Sequence, residues 1–148
     1  MQQSPGDPEL SQHRVRLHGT AVDISMRSGG VLLVRITGPI TGPLMASIKD
    51  AVVLNHAAGV SGFVADYRGA VVAASGPELD AILAGDASGS PARLPAAMVV
   101  RYGDLGLFAG HALRMAALGI MRRVFLDDDP AEAWARQEAA RHRAGRPA

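Results

Sequence analysis

Residues 123–134 read Arg123-Val124-Phe125-Leu126-Asp127-Asp128-Asp129-Pro130-Ala131-Glu132-Ala133-Trp134, and this stretch decides the fold class. A short apolar run stops at three acids and is followed at once by Asp-Pro-x-Glu, the chemistry of a helix start. Asp129 can accept a hydrogen bond from a free amide of the first turn, and Pro130 suits the first helical position, where no amide is needed. Glu132 completes a capping box, and Ala133 with Trp134 opens a packed face. The pattern predicts a strand over Val124 to Leu126 and an amphipathic helix from Pro130 to about His142. A strand feeding a helix is the repeating unit of an α/β domain.

The same alternation runs upstream. Val15 to Met26 loosely alternates apolar and polar residues, as in a half-buried edge strand. Gly29-Gly30 signals a turn, and Val31 to Ile36 is a second strand, so the two form an antiparallel hairpin. Thr41 can cap a helix in which Leu44, Ile48, Ala51, Val52 and Asn55 keep helical spacing up to Gly59. Phe63 to Tyr67 is the third strand. Ser75-Gly76-Pro77-Glu78 is a second capping box, opening a short helix that ends at Gly85. Asp86 to Pro91 is a polar loop, and Ala96 to Tyr102 is the fourth strand. Leu105 to Leu118 reads as a helix apolar nearly all the way round, hence largely buried. The predicted order is β-β-α-β-α-β-α-β-α. That is a single α/β domain over 15–143, built on a mixed five-stranded sheet with an N-terminal hairpin and then parallel β-α units. Residues 1–14 read as a flexible leader and 144–148 as a flexible tail.

Composition narrows the function classes. A chain of 148 residues with 48% hydrophobic and 20% charged residues is an ordinary globule with one core. A net charge of +1 argues against a nucleic-acid partner or an anionic membrane surface. The absence of Cys removes disulfides, thiolate metal sites and Cys nucleophiles. The first ten residues are polar and carry two prolines, unlike a signal peptide, and no apolar run approaches the ~20 residues of a membrane span. The expected location is the cytoplasm. Fourteen of the fifteen cations are Arg, with Lys49 the exception, so planar contacts to carboxylates or phosphates are available.

Three motifs carry a resemblance: Phe63-Val64-Ala65-Asp66-Tyr67-Arg68-Gly69, Gly110-His111-Ala112-Leu113-Arg114-Met115, and Val124-Phe125-Leu126-Asp127 with Glu132-Ala133-Trp134. In their order and spacing the chain resembles the STAS-like domains of anti-sigma-factor antagonists, in particular the SpoIIAA-like branch of small bacterial proteins, related in shape to CRAL-TRIO lipid-binding domains. The resemblance implies a non-enzymatic binding or regulatory module that docks a protein partner, a homodimer among the arrangements open to it. It also implies an alternative, the carriage of a lipid-like or other small apolar or anionic ligand. In the phospho-regulated antagonists a serine at the start of the helix after the third strand is phosphorylated. Ser75 sits near that place, although this chain reads Ala73-Ala74-Ser75-Gly76-Pro77 where the family has Asp-Ser-Ser-Gly.

Read from the residues, Ser75 is first a helix cap, and as a phosphosite would set a dianion on a helix N-terminus near Arg68 or Arg101. The five histidines, His13, His18, His56, His111 and His142, lack metal spacing. Asp127-Asp128-Asp129 lacks the loop of a calcium site and suits the helix dipole instead. No phosphate loop and no GxSxG elbow occurs, so neither a cofactor nor a catalytic residue is expected. In open parallel sheets ligands gather at the carboxyl ends of the strands. That edge should carry Asp66, Tyr67, Arg68, Ser75, Arg101, Tyr102 and Asp104, with Phe108 and His111 behind, as a lining for an anionic head group or acidic peptide. The plainer reading makes Asp66 and Arg101 paired structural groups and Phe108 and Leu113 core.

Overall fold

A computed structural model describes residues 11–56, 59–84 and 93–145. The elements are β1 (Ser11–Leu17), β2 (Thr20–Arg27), β3 (Val31–Pro39), α1 (Gly42–His56), β4 (Gly62–Val71), α2 (Gly76–Ala84), β5 (Ala96–Val99), α3 (Leu105–Ala116), β6 (Arg122–Phe125) and α4 (Asp128–Ala144). One sheet holds the strands in chain order, β1-β2-β3-β4-β5-β6. β1, β2 and β3 pair antiparallel, and β3 through β6 pair parallel.

Among the described residues the sheet has six strands rather than five. The stretch read as one edge strand reverses at His18-Gly19, where φ is 50° and 79°, and Leu17 pairs with Thr20. Two successive residues at positive φ make the tight two-residue turn whose twist suits a hairpin. Histidine in that place hides the turn from sequence. β1 also takes in Ser11–Arg14, which the sequence assigned to the leader. The polar loop 86–91, the first ten residues and the last three lie outside the described residues.

Because the parallel strands run in one sequential direction, right-handed crossovers put α1, α2 and α3 on the same face. There Leu44, Ile48 and Val52 of α1, Leu79 of α2 and Phe108 of α3 pack with Val34, Ile36, Tyr67 and Met98 of the strands. α4 returns across the other face. Its Ala131, Ala135 and Ala139 recur every fourth residue, are fully buried, and lie on Val31, Leu33, Val64, Ala97 and Val99. Gly62 permits this approach: a Cβ there would stand 3.3 Å from both the Ala135 carbonyl oxygen and the Ala139 Cβ.

Two helices need correction. α4 starts at Asp128, with Asp127 as its extended cap residue and no side-chain cap bond, so Asp129 is not the cap. The acids are used across the interface instead. Asp128 accepts from Arg68 Nη2 at 2.7 Å and Glu132 from Arg27 Nε at 2.9 Å. Pro130 still falls in the first turn, where its missing amide is harmless. α3 stops at Ala116 and buries only Phe108, His111 and Met115, leaving Leu113 75% exposed. It runs beside the edge strand β6, so one stripe is all the fold covers. By contrast, the Ser75 box forms as read: the Ser75 amide donates to Glu78 Oε1 at 3.1 Å, and the Glu78 amide to Ser75 Oγ at 3.4 Å.

Candidate functional site

Strand parity decides which face each side chain of β4 serves. Phe63, Ala65 and Tyr67 face the three helices, and Val64 faces α4. The β3–β4 register slips between Arg35 and Thr37, so Ile36 stands opposite both Tyr67 and Arg68. Such a bulge switches parity. Tyr67 and Ala70, three residues apart, therefore both join the three-helix core.

That core does not close. Phe63 and Ala65 lie on a central strand yet stay only half-buried. A cleft of about 430 Å³ opens above them, floored by Val34, Ile36, Phe63, Ala65, Tyr67, Ala96 and Met98 and walled by Met45, Ile48 and Lys49 of α1 and Ala81, Ile82 and Leu83 of α2. Its origin is compositional. Ala46, Ala65, Ala81 and Ala96 meet here, where a sealed core would place larger side chains. Its volume falls within the ~300–1,000 Å³ of small-molecule sites, and its lining is apolar with a few polar groups, as such sites are.

The polar groups are Tyr67, His111 and Arg122, with Lys49 and Asp50 on α1. His111 is 1% exposed, and its Nδ1 lies 2.8 Å from Asp80 Oδ1. Arg114 grips the same carboxylate, with Nη2 at 3.0 Å from Oδ1 and Nε on Oδ2. Those Arg114 bonds hold Asp80 below its ordinary range against burial, and His111 adds to the effect. Burial lowers the His111 pKa, outweighing the pull of Asp80. A neutral imidazole beside an ionised carboxylate donates through Nδ1 and keeps Nε2 as an acceptor. Tyr67 is 5% exposed and its ring stacks on Phe108 at 5.0 Å. Burial pushes the phenol up to about 12, opposed by the charge of Arg122. Burial in turn lowers Arg122, whose Nη1 donates to the Leu94 carbonyl at 2.8 Å.

The nine residues expected at the strand ends divide between places. Tyr67, Phe108 and His111 come together on the three-helix face. Asp66 and Arg68 lie on the α4 side in an ion network. There Asp66 accepts from the Arg68 amide, from Arg68 Nε and Nη2, and from Arg35 Nε, at 2.9 to 3.1 Å. Burial raises the Asp66 pKa, but these donors overcome it and the net shift is downward. Arg101 bonds the Ala70 carbonyl at 2.8 Å and Asp104 at 3.3 Å, and Tyr102 is 80% exposed beside them. Ser75 caps α2. The cleft therefore lies over the body of the sheet, beneath α1 and α2.

Sequence reasoning passed over Arg122, Asp80 and the alanines. A signal for Arg122 existed: in Arg122-Arg123-Val124-Phe125, parity sets Arg122 on the same side as Val124, which packs half-buried against the three-helix core. Nothing in the sequence joins Asp80 to His111, since only the packing of α2 against α3 brings them together. Among the described residues no group of His, Asp and Glu side chains is arranged to hold a metal ion, and no helix is long and apolar enough to cross a membrane. No family model and no curated protein matches the chain.

Proposed function

We propose that this chain is a binding or regulatory module, not an enzyme, and that it holds a small apolar molecule between α1, α2 and the sheet. The observation that carries this reading is the cleft itself: an apolar opening of about 430 Å³ over half-buried Phe63 and Ala65 at the centre of the sheet. An opening over a central strand forfeits dispersion contacts that a ligand would restore. Among the described residues the lining includes no Ser, Thr or Cys to act as a nucleophile, and His111 is tied to Asp80. Kinship with STAS-like domains belongs to the same proposal and rests on motif order alone.

The test is binding of the uncharged fluorophore N-phenyl-1-naphthylamine. The expected result is saturable, blue-shifted emission, lost in Ala65→Trp, whose indole fills the cleft, and weakened in the smaller Ala65→Leu. Emission unchanged in both folded variants would contradict the reading.

Docking of a protein partner is the second reading. It is favoured by Leu113 and Leu118, 75% and 56% exposed beside the edge strand β6. Concentration-dependent sedimentation of Leu113→Ser against the parent checks for self-association through that edge.

A further inference from the structure

Resting on the cleft reading, the geometry points to the chemical class of the ligand: an amphipathic monocarboxylate, its head at Tyr67 and Arg122 and its chain along Phe63, Met45 and Ile82.

Tyr67 is 5% exposed and lines the cleft, and among the described residues its hydroxyl has no hydrogen-bond partner. Buried tyrosine hydroxyls normally find one. A phenol that stays neutral offers a donor, so the group it awaits is an acceptor. The positive charge of Arg122 acts on the phenol oxygen, and both side chains line the same cleft. An acceptor seated there is favoured further if it carries negative charge. A guanidinium and a phenol can each donate to one oxygen of a carboxylate, Arg122 doing so in addition to its bonds to the Leu94 and Met121 carbonyls. His111 sets the other boundary. Its Nε2 has no partner among the described residues, so it presents a lone pair that disfavours a second anionic group nearby. One negative charge suits the site better than a phosphate dianion. Beyond this polar end the lining is aliphatic and aromatic except for Lys49 and Asp50 of α1, which suits a single alkyl chain better than a metabolite polar along its length.

The experiment is calorimetric titration at neutral pH with decanoate and with decan-1-ol, which share a chain and differ in the head. The parent protein should prefer decanoate by roughly tenfold or more, as a charge-assisted hydrogen bond allows. Tyr67→Phe, which removes one oxygen, and Arg122→Gln, which removes the charge, should each bring that ratio close to one. A ratio near one in the parent, or one unchanged in both folded variants, overturns the carboxylate assignment while the cleft reading stands. Failure of both probes and of the fluorophore overturns the cleft reading itself. Should Arg122→Gln not fold, Tyr67→Phe alone decides the matter.

Discussion

The two faces of this sheet are built from the same strands and packed in opposite ways. The α4 face is closed by one helix. Three fully buried alanines let it lie close on Val31, Leu33, Val64, Ala97 and Val99, and Gly62 removes the last obstacle. Arg27–Glu132 and Arg68–Asp128 then fasten the helix at its start, and Arg143 donates to the Gly29 carbonyl near its end. The opposite face is covered by three helices and still leaves an opening, because alanines on α1 and α2 sit over alanines on β4 and β5 without the close approach that α4 achieves. Small residues seal a face only when the backbone comes down onto them; otherwise they leave a cleft.

The sharpest way to break this contrast is to enlarge one alanine on each side. Ala135→Leu should lower unfolding free energy by about 2–3 kcal/mol, as overpacking of a closed interface does, read by urea denaturation. A smaller loss is expected from Asp66→Asn. Asp66 is 2% exposed, but its partners Arg35 and Arg68 reach solvent, so the effect should be about 2 kcal/mol rather than that of a fully buried pair. Ser75→Ala, which removes only the cap of α2, should cost about 1 kcal/mol without altering ligand binding. At the bottom of the scale, Ala65→Leu should stay within about 0.5 kcal/mol of the parent, since it extends into open apolar space. Equal losses for Ala135→Leu and Ala65→Leu would erase the distinction between the faces.

Acid should sharpen it further. His111 titrates below its ordinary value in the folded chain, so between that value and its folded pKa the unfolded chain binds more protons. Stability should therefore fall as pH drops below about 6.5, the ordinary histidine value, and this loss should vanish in His111→Gln. The lowered Asp66 and Asp80 act later. Their contribution is complete above the ordinary carboxylate range and is lost as pH falls from that range through their lowered folded values.

Local chemistry made much of the fold legible. Thr41 caps α1 by accepting from the Leu44 amide at 3.2 Å, the Ser75 box opens α2, and the strand–helix alternation set the class. The sixth strand was hidden because His18 takes a conformation usually left to glycine, asparagine or aspartate. The start of α4 was misplaced because a capping box and an ion pair draw on the same acids, and only tertiary contact shows that Arg27 and Arg68 win. The candidate site was legible in part, through Tyr67 and His111. Its other half arises from what is missing, the volume that four alanines leave unfilled, and a gap has no signature in a one-dimensional pattern.

Methyl chemical shifts during a decanoate titration test the contrast between the two faces most directly. Shifts confined to Met45, Ile48, Ile82 and Met98 around the cleft, with Ala131, Ala135 and Ala139 unmoved, are the expected result. Shifts centred on the α4 alanines, or none at saturating ligand, would contradict it.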